Sequence, residues 1–405
     1  MRIVILPLMA LLLASPIAAQ RQPQQQQQRV GARDRAAHGR MIVIDAHLDI
    51  ADHFDDGRWD FAARHRYEED GTQVDLPRMR EGGLDGGFFV IYTAQGPLTE
   101  AGYRDARDRA LVRAAAIRRV IGENRGAMDL ALTADDAERS ARAGRRFAFL
   151  SMENGWPLGE DLSLLTSFHR LGVRMAGPVH SRDNQLADSA TGQNRWGGLS
   201  PLGRRWVAEM NRLGMIIDVS HSSDATFDDI LRLSRVPVVA SHSGPKAIFE
   251  HRRNLDDARM RRLAEAGGVM FMNSIFLVQH DGSDERDRIN ERHRRWAELS
   301  QAERRQLMAD TAALNRIRPY TTADFELYMR ALLHAIRVMG VDHVGLGADW
   351  DGGGGVIGMQ DITALPRITA RLRREGFSEA DIAKVMGGNL LRVMRQVQAA
   401  AAPAR

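Results

Sequence analysis

The chain has 405 residues, 44% hydrophobic and 27% charged, the balance of a soluble globular protein with room for one large barrel or two ordinary domains. Its 56 basic residues nearly match its 52 acidic ones, for a net charge of +4; the basic residues are Arg except at Lys246 and Lys384 and form no contiguous stripe, which argues against nucleic acid as a partner. The absence of cysteine excludes disulfides, thiolate metal sites and a lipid-modified cysteine anchor.

In chain order, Met1-Arg2 is a short basic start, residues 3–13 are apolar apart from Pro7, and Ser15-Pro16-Ile17-Ala18-Ala19 is a small-residue exit. Residues 1–19 thus follow the pattern of a cleavable signal peptide, too short to span a bilayer comfortably. The expected destination is the bacterial periplasm, with no stable membrane insertion after cleavage. Residues 20–40 are rich in Gln and Arg and are expected to form a disordered spacer. A single catalytic domain over 41–400 follows. Eight short runs are predicted as strands: 42–45, 87–92, 147–152, 173–178, 215–219, 236–240, 269–273 and 343–347. Several are near-continuously apolar, as buried parallel strands require. Helical spacing occupies the intervals. Residues 107–121 place Ala110, Leu111, Ala114 and Ile117 on one stripe. Residues 202–213, 224–233, 256–266 and 324–339 each lead into the next strand, and 365–375 and 380–397 follow the last. Eight strand–helix alternations predict an α/β fold, a (β/α)8 TIM barrel. Two stretches interrupt the alternation. Residues 183–201 read as a polar, Gly-rich loop over the barrel mouth after the fourth strand. Residues 280–319 read as a charged excursion inserted after the seventh, either a substrate wall or a solvated surface helix.

Metal-ligand residue types recur where these runs end. His47 and Asp49 follow the first strand, Glu153 ends the third, His221 follows the fifth, His242 the sixth, and Asp349 the eighth. In a (β/α)8 barrel all such ends open on one face, where active sites lie. His47-Leu48-Asp49 is a weak motif alone. The near-repeat Val219-Ser220-His221-Ser222 and Ala240-Ser241-His242-Ser243 strengthens it. Imidazole and carboxylate without thiolate suit Zn²⁺ best, with Mn²⁺, Co²⁺ and Fe²⁺ as alternatives. Three His and two carboxylates exceed the needs of one tetrahedral ion with an open position. They suit two ions bridged by Glu153, which would acidify a bridging water to hydroxide. Asp349 then falls to proton transfer, with Asp351 as the other choice. His180, ending the fourth strand, is placed to polarise a carbonyl. Arg252 and Arg253, after the sixth, offer a guanidinium clamp for a substrate carboxylate.

The chain resembles the membrane (renal) dipeptidase family of zinc peptidases. The resemblance is carried by Asp45-Ala46-His47-Leu48-Asp49, Asp75-Leu76-Pro77-Arg78-Met79-Arg80-Glu81-Gly82-Gly83, Ser151-Met152-Glu153-Asn154-Gly155, and Leu199-Ser200-Pro201-Leu202-Gly203. It continues through Ile217-Asp218-Val219-Ser220-His221, Ala240-Ser241-His242-Ser243, Arg252-Arg253-Asn254, Ala348-Asp349-Trp350-Asp351-Gly352 and Gly388-Asn389-Leu390-Leu391-Arg392. In order, these span about residues 41–397. The resemblance implies a barrel of the metal-dependent hydrolase type holding two Zn²⁺. His47, Asp49 and Glu153 would hold one ion, and Glu153, His221 and His242 the other. His180 would polarise the substrate, Asp349 transfer the proton and Arg253 bind the carboxylate. It implies hydrolysis of dipeptides by a metal-bridging hydroxide, including those with a C-terminal D-residue, and in some members of β-lactams. Family members often dimerise, so a homodimer is an expected state. The sequence departs from the family at His47-Leu48-Asp49 (often His-Asn-Asp) and at Glu153-Asn154-Gly155 (often Glu-Gly-Gly). It also lacks a Tyr in Asn273-Ser274-Ile275-Phe276 after the seventh strand. The alternatives are a barrel amidohydrolase acting on another amide, lactam or ester, and a zinc-holding binding protein without catalysis.

Overall fold

The computed structural model describes residues 30–401, apart from 56 and 58; the signal segment read over 1–19 lies outside them. Nine strands form one parallel sheet: β1 (Ile44–Leu48), β2 (Gly86–Tyr92), β3 (Met128–Leu130), β4 (Arg146–Glu153), β5 (Val173–Ala176), β6 (Ile216–Ile217), β7 (Val239–Ser243), β8 (Val269–Met272) and β9 (Val344–Leu346). Eight run in the order β6-β5-β4-β2-β1-β9-β8-β7. A parallel bridge between Asp218 and Val239, with the Val219 N–H donating to the Val239 carbonyl at 2.7 Å, joins the two ends. The sheet is thus a (β/α)8 barrel, and its eight strands overlap the eight runs seen in the sequence. The additional strand, β3, pairs with the first residues of β4 on the edge that β5 takes higher up. Three residues, of which only Met128 is buried, carry too little periodicity to stand out.

The barrel interior divides into an apolar floor and a polar top. Ile44, Ala46, Phe88, Phe147, Phe149, Met175, Ile216, Val239, Val269 and Phe271 form one buried cluster. Leu390, Leu391, Val393, Met394 and Val397 of helix Asn389–Ala399 join it. Asn389 ties that helix to the start of β9 by donating to the Val344 carbonyl at 2.9 Å. The alternate residues of the same strands, including Leu48, Phe89, Leu150, Ile217, Ala240 and Met270, pack outward against the helices.

Simple alternation does not by itself bring the strand-end ligands inward. Along β1 the pairing with β2 advances from Asp45 to Leu48 while β2 advances only from Gly87 to Phe89. Along β7 it advances from Ala240 to Ser243 while β8 advances only from Met270 to Met272. Each strand therefore carries one extra residue, a β-bulge, in the intervals Asp45–Leu48 and Ala240–Ser243 that hold His47 and His242. Bulges re-aim side chains next to active sites.

Residues 32–40 correct the spacer expected over 20–40. Ala32–His38 is a helix, and its His38 is buried, with Nδ1 2.8 Å from Thr369 Oγ1 and Nε2 2.9 Å from the Gly82 carbonyl. Those partners lie 44 and 331 residues away, so composition alone gives no sign of them. The excursion after β8 folds as helices Asp284–Arg294 and Gln301–Ile317 around Ile289, Leu307 and Leu314. Among the described residues no helix is long and apolar enough to cross a membrane.

One buried ion pair organises the approach to β2. Asp75 caps helix Leu76–Gly82 by accepting from the Arg78 N–H, and its other oxygen accepts from Arg78 Nε at 2.6 Å. The fully buried guanidinium also donates to the Thr72 carbonyl at 2.6 Å and to Thr72 Oγ1 at 2.8 Å. Removing one partner of such a pair strands the other charge, so Arg78→Ala is expected to cost about 3–5 kcal/mol. A urea midpoint unchanged from the wild type would refute this.

Candidate metal centre

The polar top of the barrel collects every ligand-type residue singled out in the sequence. Glu153, the last residue of β4, lies at its middle. Its Oε1 is 3.0 Å from His221 Nε2 and 3.3 Å from His242 Nε2, and its Oε2 is 3.7 Å from His47 Nε2. His47 Nε2 also lies 3.5 Å from Asp49 Oδ2. The two carboxylate oxygens thus face different imidazoles, as a bridging ligand requires. All five side chains are buried.

These distances test whether a metal fits. Ligand atoms held about 2.1 Å from a tetrahedral ion lie about 3.4 Å apart, and the contacts from 2.9 to 3.7 Å scatter about that edge. His221 Nε2 and His242 Nε2 face each other at 2.9 Å, a repulsive meeting of lone pairs unless a proton or cation lies beside them. His47 Nε2 is buried with no hydrogen-bond partner among the described residues. Three sets of ligand atoms converge within 4.8 Å: His47, Glu153 and His242; Glu153, His180 and His221; and His47, Asp49 and Asp349. The residues fit a centre for divalent cations. His180 and Asp349, assigned to substrate and proton in the sequence, also lie within ligand reach.

The electrostatics agree. Burial lowers the pKa of His242 to about 4, and burial with the Arg253 charge holds His221 well below the usual imidazole value. Both rings are therefore neutral, the form that binds a metal. Burial alone would raise Glu153, but His180 and His47 beside it hold it well below the usual carboxylate value. Asp349 is raised well above the carboxylate range, first by burial and then by Asp49 and Glu153.

The backbone is bent sharply where these side chains leave the strands. Asn154, His221, Asp349 and Asp351 adopt φ of 72°, 65°, 68° and 66°, a left-handed conformation that concentrates at functional sites. Asn tolerates it best after Gly, which explains Asn154 where the resembled family carries Gly. Asn154 Nδ2 donates to the Thr93 carbonyl, and its Oδ1 accepts from Asn184. The 183–201 loop is pinned to the same ends. Ser189 Oγ donates to the His180 carbonyl, and the Ala190 N–H to the His221 carbonyl at 2.7 Å. At Gly352 a Cβ would fall 2.1 Å from Asp49 Oδ2 and 2.2 Å from Asp349 Oδ1, so only glycine lets this turn close over the two carboxylates.

Of the two candidate arginines, Arg252 is exposed and Arg253 buried. The Arg253 guanidinium lies over the Phe276 ring at 5.3 Å. Its Nη2 reaches the His242 carbonyl at 3.4 Å, and its Nε has no partner. Most of its donors are therefore unused. Asp351, the alternative to Asp349, is turned away: its Oδ1 accepts from the Gln73 N–H at 2.8 Å.

Two tyrosines escape a reading based on ligand types. Tyr92 ends β2 and meets His180 edge-on at 4.8 Å; the strand-end rule that marks the ligands marks it too. Tyr320 closes the excursion. It stacks on His280 at 4.5 Å, and its hydroxyl lies 4.0 Å from where a Gly353 Cβ would be. No local signal marks it, because the excursion's fold carries it there.

A (β/α)8 barrel with a buried imidazole–carboxylate cluster at the C-terminal ends of its strands is the architecture of a metal-dependent hydrolase. Residues 32–405 match the model of the membrane dipeptidase family, peptidase family M19, and the chain belongs to that family of peptide-bond hydrolases. It is 31% identical to the dipeptidase tcpJ of Claviceps purpurea over 81% of this chain and 70% of that one. It is 33% identical to the dipeptidase aclJ of Aspergillus oryzae over 80% and 70%. Among solved structures it resembles the probable dipeptidase PvdM of Pseudomonas aeruginosa, with a TM-score of 0.77, 28% identity, and coverage of 91% of this chain and 98% of that one. It also resembles a Rhodobacter sphaeroides metallopeptidase liganded with a phosphinate mimic of the dipeptide L-Ala-D-Ala. That match has a TM-score of 0.70 and 27% identity, and covers 88% of this chain and 99% of that one.

If Glu153 is shared between ions, the shape-preserving Glu153→Gln should lose most of the bound divalent metal rather than a fraction of it. Elemental analysis after dialysis reads this directly, and metal content equal to the wild type would show that Glu153 is not a shared ligand.

Proposed function

We propose that the chain is a dipeptidase working with two Zn²⁺, and that it accepts dipeptides with a C-terminal D-residue. The observation that carries this reading is Arg253: a buried guanidinium beside the ligand cluster with most of its donors unused. An unpaired buried charge is costly, and a substrate carboxylate one residue beyond the scissile bond would pair it. That limits the substrate to two residues, since a longer chain has no carboxylate at that point. The Rhodobacter relative's phosphinate mimic of L-Ala-D-Ala supports the D-residue.

His47, Asp49 and Glu153 would hold one ion, and Glu153, His221 and His242 the other; bound there, they would supply Lewis acidity and an acidified water. The chain's own residues do the rest. Arg253 fixes the C-terminal carboxylate through charge-assisted hydrogen bonds. His180 donates to the scissile carbonyl oxygen as it gains charge. Bound cations would offset the repulsion from Asp49 and Glu153 that raises Asp349; so ionised, Asp349 accepts the proton of the attacking water and passes it to the departing amide nitrogen. Tyr320, stacked on His280 beside Gly353, adds a hydroxyl to the wall around the substrate. Residues 1–19 would direct the chain to the periplasm.

Asp349→Asn keeps the shape but not the proton transfer, and should lower kcat by about 10²–10⁴-fold while elemental analysis finds the metal retained. Full turnover in that variant removes the role assigned to Asp349. Arg253→Ala should instead raise KM, by roughly 10–100-fold for a lost charged hydrogen bond of about 1.5–3 kcal/mol, with kcat much less changed. A dipeptide with an amidated C-terminus should show the same deficit in the wild type. A stereochemically complete dipeptide library, run against lactam and ester substrates, tests the substrate class. Faster turnover of a lactam or ester than of any dipeptide would overturn it.

A further inference from the structure

Beneath the imidazoles lies a buried polar layer to which the reaction assigns no part. Ser241 is fully buried, and its Oγ reaches four polar atoms. Asp218 Oδ2 is at 2.5 Å, His242 Nδ1 at 2.8 Å, His47 Nδ1 at 3.3 Å and Ser220 Oγ at 3.4 Å. A hydroxyl has one proton and two acceptor lone pairs, and a carboxylate only accepts. The short contact to Asp218 therefore takes the Ser241 proton. Ser241 Oγ is left to accept, and of the three groups facing it that can give a proton, His242 Nδ1 and His47 Nδ1 lie nearer than Ser220 Oγ. Each ring then carries a hydrogen on Nδ1 and turns its Nε2 toward Glu153.

Asp218 is itself held in place. Its Oδ1 accepts from the Ser220 N–H and the Ser241 N–H, both at 2.9 Å, so the carboxylate cannot swing away from Ser241. Neither His47 Nδ1 nor His242 Nδ1 has another hydrogen-bond partner among the described residues. His221 provides the contrast: its Nδ1 is buried with no hydrogen-bond partner among the described residues, so none of them selects its tautomer from behind the ring. The two imidazoles served by Ser241 are those whose strands carry the bulges.

We propose that Ser241, anchored by Asp218, is a positioning residue that sets the tautomer and orientation of His47 and His242 together, so that one hydroxyl governs two imidazoles assigned to different ions. The inference rests on the two-ion reading of the centre. Partners that orient ligating histidines typically change metal affinity by about 10–100-fold when removed, and here one removal should act at both positions.

The test uses the full chain stripped of metal by chelation. Zinc affinity is measured by competition with a chromophoric chelator for the wild type, Ser241→Ala and Ser241→Thr. Imidazole tautomers are read by nitrogen-15 NMR on histidine-labelled protein. Ser241→Ala should weaken both positions by about 10–100-fold, and Ser241→Thr, which keeps the hydroxyl, should restore the affinity. In the metal-free wild type, His47 and His242 should both carry a proton on Nδ1, a readout that holds even if a variant fails to fold. Wild-type affinity in Ser241→Ala, or an Nε2–H tautomer at either ring in the wild type, overturns the proposal. A wild-type chain that takes up no zinc overturns the two-ion reading instead, and the tautomer signals still decide the part played by Ser241.

Discussion

The structure turns on one buried carboxylate. Glu153 lies inside a closed barrel with imidazole nitrogens on both of its oxygens. Taking a carboxylate out of water costs several kcal/mol unless charge and hydrogen bonds compensate it. The nearest rings supply little positive charge, since burial keeps His221 and His242 neutral. A cation between them resolves the conflict, because it is attracted to the carboxylate and to both lone pairs. The rest of the site supports that arrangement. Bulges turn His47 and His242 inward, left-handed residues bend the chain at Asn154, His221 and Asp349, and a glycine leaves room beside Asp49.

Rigidity comes from the division of the barrel interior. The floor is packed with four phenylalanines and aliphatic side chains from seven strands, a core dense enough to resist small displacements. The polar layer above it is tied by short bonds from Asp218 through Ser241 to two of the rings. Sites of this kind are held within fractions of an ångström by the groups behind the ligands. The loop over 183–201 adds a lid-side brace by hydrogen-bonding the backbone of His180 and His221.

The proposed substrate wall, by contrast, is built from segments the barrel does not require. Arg253 comes from the loop after β7 and is shielded by Phe276 from the loop after β8. Tyr320 is delivered by the excursion and held by a stack on His280. The Tyr that the resembled family often carries after the seventh strand is absent from Asn273-Ser274-Ile275-Phe276; here Ile275 Cδ1 lies 3.4 Å and the Tyr320 hydroxyl 4.0 Å from the Gly353 Cβ position. Loops of this kind vary without disturbing the scaffold, which is how one barrel serves different substrates.

Local sequence determined what local physics controls. Short apolar runs spaced by amphipathic segments specify parallel strands and covering helices, because a strand buried on both faces must be apolar throughout. The ends of those runs therefore pick out the candidate ligands His47, Asp49, Glu153, His221 and His242 from sequence alone. Tertiary structure decided everything that depends on distant partners. It set which of Arg252 and Arg253 is buried, since that follows from the Phe276 loop. It turned Asp349 toward Asp49 and Asp351 toward Gln73. It folded residues 32–38 onto Thr369 and Gly82, although their composition reads as disorder. It also brought Tyr320 to the mouth across an entire inserted hairpin of helices. These are contacts between residues far apart in the chain, and a pattern confined to neighbours holds no record of them.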